Sequence, residues 1–508
     1  MNHPSSHAQI TPNKPAYIMA GSGEVVTYRN LDQRSAQGGE LFKQLGLMPG
    51  DHIALFMENN ARFFEIVWAA QRSGLIFTAI SSHLEAAEVS YILTNCDAKV
   101  LITSAACRNT AQAALKGFDR KLEKYIVLGE ADGFQSWENS IQGLSPVAAV
   151  DESAGVHMLY SSGTTGSPKG VYPTWMPGRD IDYMEPGMAA LRDFFRINSE
   201  TVYLSPAPLY HAAPLIFNQL VMFQGGTSII MESFDAEQSL ALIEKWKITT
   251  AQFVPIMFIR MLKLDKQIRN SYDLSSLKIA IHAAAPCPVE VKRQMIDWWG
   301  EIVFEYYSST ENAGATLLSA AQWLEHPGSV GFPLGCSIHI MDEEGSELGP
   351  NEVGEVYFEN PALNFEYYKE PEKTAETRNL NGWVTVGDIG YVDDAGFLYL
   401  SDRKHFMIIS GGVNIYPQEI ENILIMHPDV ADVAVFGIPN ADFGQEIKAV
   451  VQPSVVGFNA DELERSLQEW CVGKLSKIKR PRSISFDPSL PRLDNGKLYK
   501  KQIAETYQ

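Results

Sequence analysis

Three things are scarce in this chain of 508 residues: paired cysteines, basic residues and long apolar runs. Its five cysteines, Cys96, Cys107, Cys287, Cys336 and Cys471, are scattered with no C-x-x-C pair. That argues against a zinc site or a disulfide framework and leaves reduced thiols as the expectation. Lysine plus arginine number 41 against 61 aspartate plus glutamate, a formal net charge of -20. Sequence-independent binding of nucleic acid needs basic surface, so a chain this acidic is a poor candidate for it. No uncharged stretch reaches the roughly 18 apolar residues of a spanning helix. The start, Met1-Asn-His-Pro-Ser-Ser-His7, has neither the basic opening nor the apolar centre of a secretory signal. The expectation is a soluble cytoplasmic protein; peripheral contact with a membrane and pairing into a homodimer are both compatible with this composition.

What is present is enough apolar residue, 45%, to build packed cores, in a chain too long for one of them. The first 150 residues alternate strand-like and helix-like segments: a strand over His52–Met57, a helix over Ala61–Ser73, a strand over Ile76–Ile80, a helix over Ala86–Leu93 and a strand over Lys99–Thr103. This βαβ rhythm predicts layered α/β architecture. Gly21-Ser22-Gly23 lacks the third glycine and following helix of a dinucleotide fingerprint and reads as a hairpin turn. A second alternation has a helix at Ala236–Trp246 and strands at Thr250–Val254 and Leu277–His282. The turn-rich Asp342–Gly354 predicts two hairpin connections in a β-rich subdomain. Near Asp402–His405 the pattern restarts, with helix Pro417–Met426, strands Val433–Phe436 and Ile447–Gln452, and helix Asp461–Leu475. The fold class is therefore α/β: a large N-terminal domain (1–402) of layered α/β subdomains plus a β-rich subdomain, then a small mobile α+β C-terminal domain (403–508).

One stretch is too dense in chemistry for an ordinary connection. Tyr160-Ser-Ser-Gly-Thr-Thr-Gly-Ser-Pro-Lys-Gly-Val171 combines glycines that let backbone approach a ligand with hydroxyls and one cation, the make-up of a phosphate-holding loop. It is not a Walker A loop, because Pro168 precedes Lys169 and Gly170 follows it.

This loop resembles the one in the adenylate-forming superfamily of acyl- and aryl-CoA synthetases, luciferases and peptide-synthetase adenylation domains. Further matching stretches follow in the superfamily's order: Ala207–His211, Tyr306–Glu311, Thr385–Gly390, Asp402-Arg403 with Ile408–Gly412, and Pro491–Lys497. The resemblance spans essentially the full chain and is nearest to bacterial acyl-CoA synthetases. It implies an ATP- and Mg²⁺-dependent ligase that forms an acyl-adenylate and pyrophosphate, then acyl-CoA and AMP.

By the same resemblance, Ser161, Ser162, Gly163, Thr164, Thr165, Gly166 and Lys169 grip the β- and γ-phosphates, Thr310 donates to the α-phosphate, and Glu311 holds Mg²⁺. The Ser308–Glu311 run also fits a helix cap. Adenine lies against Tyr307 beside Ala284, Ala285 and Pro286; Asp388 and Arg403 reach the ribose; His211 stands at the acyl pocket mouth. Lys497 carries a positive charge to the reacting carboxylate and α-phosphate. Ser410, Gly411 and Gly412 line a passage for the pantetheine of coenzyme A once the C-terminal domain has turned about His405. That hinge departs from the family, which has Asp or Lys there, and Ser167 and Thr385-Val386 also differ from the common pattern. The small residues of His282-Ala-Ala-Ala-Pro286, with no charged residue among them, favour an apolar acyl or ring-bearing acid of medium or greater length, and the resemblance to bacterial acyl-CoA synthetases implies a medium- or long-chain fatty acid or a related apolar acid such as a steroid side chain. Other acceptors (a carrier protein, an amine or oxygen) and a catalytically silent nucleotide-binding regulator are the alternatives.

Overall fold

Strand His52–Phe56 is buried at all five positions, and its sequence accordingly runs almost continuously apolar instead of alternating. A computed structural model of the chain describes residues 3–507 apart from 148, 150, 162–167, 173–174, 362–364, 411–412, 441 and 493–497, and leaves aside the side chains of 405 and 501. Two compact units emerge: residues Met1–Phe253, Lys263–Ile281 and Asn364–Glu376 form the first, and Val254–Leu262, His282–Leu363 and Thr377–Gln508 the second.

In the first unit His52–Phe56 is central to a six-stranded sheet, in the order Gln135–Ser136, Glu123–Val127, Val100–Ser104, His52–Phe56, Ile76–Ile80 and Val156–His157. Every pairing in it is parallel. One apolar core, with Trp68, Phe63 and Trp137, is separate from another built on Phe56, Ile92 and Leu101. The predicted helix over Ala61–Ser73 begins instead at Phe63, because the Asn60 side chain accepts from the Arg62 amide and holds the preceding turn. Helix Ala236–Trp246 has the predicted ends: Asp235 caps its start, and Lys247 turns left-handed at its close. Strands Val202–Ser205, Thr227–Ile230 and Pro15–Met19 run parallel. Gly21–Gly23 is the turn from Pro15–Met19 back to Val25–Thr27, with the Gly21 and Ser22 amides donating to the Glu232 carboxylate at 2.7 and 3.0 Å.

The second unit is mainly antiparallel. Strands Ser337–Met341, Gly354–Glu359, Val384–Val392 and Leu398–Arg403 form one sheet in that order. The two turns of the 342–354 region both lie in the single connection between its first two strands. Past Arg403 a five-stranded sheet is built on a long hairpin of Val430–Asn440 with Gly444–Pro453, joined by Ser483–Phe486 in parallel. Helices Pro417–Leu424 and Ala460–Cys471 accompany it. The latter stops short of the predicted Leu475, since Val472 is extended and Gly473 has φ +79°. Among the described residues no helix is long and apolar enough to cross a membrane.

Candidate active site

In the first unit the Tyr160–Val171 stretch begins and ends on two paired antiparallel strands, Leu159–Ser161 and Lys169–Tyr172, with Ser161 opposite Lys169 and Tyr160 opposite Gly170. Gly170 lets the strands close up: a Cβ there would sit 3.0 Å from the Tyr160 ring, tighter than an ordinary contact. That ring is anchored by its hydroxyl to Asn95 Oδ1 at 2.5 Å. Lys169 Nζ lies 4.8 Å from the centre of the Tyr367 ring. Ser162, Gly163, Thr164, Thr165 and Gly166 lie outside the described residues, as does Ser167.

His211 occupies the position before helix Ala212–Phe223, with its ring 4.6 Å from that of Tyr210. The loop that delivers it hangs on a residue the sequence reading passed over. Asn59, buried just beyond strand His52–Phe56, accepts from the Leu209 amide at 2.8 Å and donates to Ala207 O at 3.3 Å and Met231 O at 2.8 Å. One side chain thus satisfies three backbone groups of the segments around 207–211 and 231. Asn59→Leu is expected to cost about 1–3 kcal/mol, because those groups stay buried without the partner. Urea unfolding checks this.

In the second unit Asp388 sits within strand Val384–Val392 and is buried. Its Oδ1 meets Arg403 Nε at 3.0 Å across the register of the neighbouring strand, and its Oδ2 accepts a short hydrogen bond from the Tyr307 hydroxyl. Burial first, then the Asp388 carboxylate, pushes the Tyr307 phenol well above its ordinary pKa, so it remains the donor. For Arg403, burial pulls downward, but Asp388, then Tyr307 and Glu311, outweigh it and hold the guanidinium above its ordinary value. Each carboxylate oxygen of Asp388 keeps a further lone pair for a ligand hydroxyl.

Tyr307 belongs to strand Val303–Ser308, after which Asn312 N bonds Ser309 O at 3.0 Å in a turn that leads to strand Ala315–Leu318. No helix follows, so Ser308–Glu311 does not serve as a helix cap. Thr310 is exposed and Glu311 buried. Among the described residues no three His, Cys, Asp or Glu side chains gather as metal ligands. A lone carboxylate suits Mg²⁺, which takes one or two carboxylates plus substrate phosphates and water.

The 283–286 segment follows His282, which belongs to a buried charged cluster. Ala284 has φ +75°, a left-handed conformation costly for a residue with a Cβ. Lys292 Nζ lies 2.5 Å from Glu305 Oε2, with His282 Nε2 3.4 Å from the same oxygen, all three side chains buried. Burial, aided by Lys292, keeps His282 far below its usual pKa and hence neutral. Thr385, from the region that departs from the common pattern, donates to Glu355 Oε1 at 3.1 Å, and Lys404 pairs with Glu355 Oε2 at 2.9 Å. His405 lies in a short 3₁₀ turn, Lys404–Phe406, and Ser410 is buried at the end of strand Ile408–Ser410. Gly411, Gly412 and Lys497 are outside the described residues.

Comparison with known proteins gives a consistent result. Residues 5–368 match the AMP-binding enzyme family model, and residues 419–497 match that of the AMP-binding enzyme C-terminal domain. A fatty acid–acyl-carrier-protein ligase of Streptomyces coeruleorubidus is 30% identical over 99% of this chain and 95% of its own length. A feruloyl-CoA synthase of an Amycolatopsis species is 31% identical over 99% of this chain and 98% of its own. The solved structure of o-succinylbenzoate CoA synthetase from Bacillus subtilis, in complex with its acyl-adenylate intermediate, superimposes with a TM-score of 0.81 at 25% identity, covering 99% of this chain and 97% of that one.

Proposed function

Because the chain belongs to the AMP-binding enzyme family, we propose that it activates an apolar carboxylic acid with ATP and passes the acyl group to coenzyme A. The observation that best supports this is the buried Asp388, held between Tyr307 and Arg403 with lone pairs to spare for the 2′- and 3′-hydroxyls of a ribose.

In the first half-reaction a carboxylate oxygen attacks the α-phosphorus; the acyl–O–P bond forms as the bond to pyrophosphate breaks. Negative charge grows on the phosphoryl oxygens and on the leaving pyrophosphate, and fixed donors stabilise it most effectively. Lys169 and the hydroxyls of Ser161, Ser162, Thr164 and Thr165 would hold the β- and γ-phosphates, Thr310 the α-phosphate, and Glu311 the Mg²⁺ that neutralises phosphate charge when bound. Tyr307 and the Ala284–Pro286 backbone would flank adenine, and Lys497 would bring its ammonium to the reacting oxygens. In the second half-reaction a thiolate attacks the acyl carbonyl and AMP departs, with Ser410, Gly411 and Gly412 lining the thiol's approach.

The substrate reading is an apolar acid, a medium- or long-chain fatty acid or a steroid side chain, in keeping with the small Ala283–Ala285 residues. A pyrophosphate-release assay over an acid panel, with and without coenzyme A, tests both parts. Acid-dependent pyrophosphate and CoA thioester together are the expected result; no acid-dependent pyrophosphate would sink it. A carrier-protein acceptor is the second reading, favoured by the Streptomyces relative, and pyrophosphate release with acyl transfer only to a phosphopantetheinylated carrier would establish it. Residues 403–508 would turn about His405 between half-reactions, since a hinge needs permissive dihedrals more than a particular charge. His405→Pro is accordingly expected to suppress thioester formation more than adenylation; equal loss of both would remove the hinge.

A further inference from the structure

The sequence presents Lys500 as one of several lysines in a basic tail, yet its side chain is only 8% exposed. Its ammonium lies 2.8 Å from Glu421 Oε1, itself a buried carboxylate on helix Pro417–Leu424, and 5.0 Å from the centre of the Phe406 ring, next in sequence to His405. Glu421 Oε1 also accepts from the Val435 amide at 2.7 Å, so the pair is tied to strand Val430–Asn440.

This placement is unfavourable twice over. Lys500 opens helix Lys500–Tyr507, where the helix dipole disfavours a cation. Burying an ion pair also gains little stability over well-packed apolar residues.

The opposite flank is fixed in the same way. Arg492 holds the buried Asp432, on that same strand, through two nitrogens, Nη2 at 2.6 Å from Oδ1 and Nε in a shorter contact with Oδ2. Between these anchors the chain closes on itself: Arg492 bridges Leu498, and the Tyr499 amide donates to Pro491 O at 2.9 Å. Leu490 and Leu498 pack with Ala434, Phe436 and Ile503. Two charged clamps therefore grip the two ends of the short segment that carries Lys497.

We infer that Lys500 and Arg492, through Glu421 and Asp432, are positioning residues for Lys497 in the adenylation half-reaction. The inference rests on the catalytic role proposed above for Lys497. Lys500 and Arg492 need touch no substrate. They hold the chain on either side of the segment, so that its path is fixed at both ends.

The test uses the full chain with the double substitution Lys500→Met/Glu421→Gln, which removes both charges while the glutamine oxygen still receives the Val435 amide. Circular dichroism and a thermal melt establish folding. Adenylation is then followed as acid-dependent exchange of pyrophosphate into ATP, and the second half-reaction as thiolysis of supplied acyl-adenylate. The double variant is expected to fold, to adenylate roughly 10–100-fold more slowly, as small misplacements of a reacting group do, and to thiolyse within about twofold of the native rate. Lys500→Arg alone, which keeps the charge, should recover most of the exchange rate. A folded double variant that adenylates normally, or that loses both half-reactions equally, would overturn the inference. Lys497→Ala is run alongside. If it loses adenylation while the double variant does not, only the clamp fails; if it retains adenylation, the role of Lys497 fails and the clamp with it.

Discussion

Lys497→Ala is expected to lower acid-dependent pyrophosphate release by about 10²–10³-fold, the usual loss when one fixed donor to developing charge is removed. Thiolysis of supplied acyl-adenylate should remain measurable, because that step forms a C–S bond and releases AMP without passing through the pentacoordinate phosphorus. The asymmetry separates chemistry from folding, since a misfolded variant would lose both. It also separates Lys497 from Lys169, whose proposed partners are the phosphates that leave. Lys169→Ala should weaken ATP binding along with the rate, whereas Lys497→Ala should act mainly on the rate.

The second large effect is structural. Lys292→Met leaves the Glu305 carboxylate buried beside a neutral His282, and stranding one member of a buried pair costs about 3–5 kcal/mol. A fall in the melting temperature of the full chain checks this. Lys292→Met/Glu305→Leu should regain most of the loss, because the charge is removed with its partner. The pH dependence has a definite sign. Burial pushes the Glu305 carboxyl up, and Lys292 opposes that push. Without Lys292 the carboxyl of the folded variant lies further above its unfolded value. Such a group contributes stability at pH below its unfolded pKa and loses it as pH rises through the folded one. The deficit of Lys292→Met relative to the native chain should therefore narrow on acidification and widen toward neutrality.

Much of the fold was legible because its signals are local. Strands buried on both faces read as apolar runs, and helix Ala236–Trp246 announced its start through Asp235. The long hairpin Val430–Asn440 with Gly444–Pro453 was read too short at both ends, since its outer pairs, such as Pro439 with Gln445 and Ile438 with Glu446, carry polar or turn-like residues that only cross-strand bonding makes extended. At the site, the residues proposed to face ligand stand out by type and order in the sequence. Their supports do not. Asn59 resembles any loop asparagine, and Lys292, Glu305, Glu421 and Lys500 resemble surface charge, because pairing across more than a dozen positions leaves no local pattern in a single chain. Ala284 was picked for its small side chain, whereas its left-handed backbone is a property of the folded segment.

The parallel pairing of Pro15–Met19 with Thr227–Ile230 has a consequence for how the protein is made. Tyr17 emerges from the ribosome about two hundred residues before Ser228, its register partner, so at 5–20 residues per second the first strand waits roughly 10–40 s for its place in the sheet. Within the sheet only the short hairpin partner Val25–Thr27 is at hand meanwhile, and a two-stranded hairpin is barely stable in water on its own. Nascent chains stalled before residue 227 should thus leave the backbone edge of Pro15–Met19 that faces Thr227–Ile230 unpaired and open to chaperones and proteases, and chains extended past residue 230 should cover it.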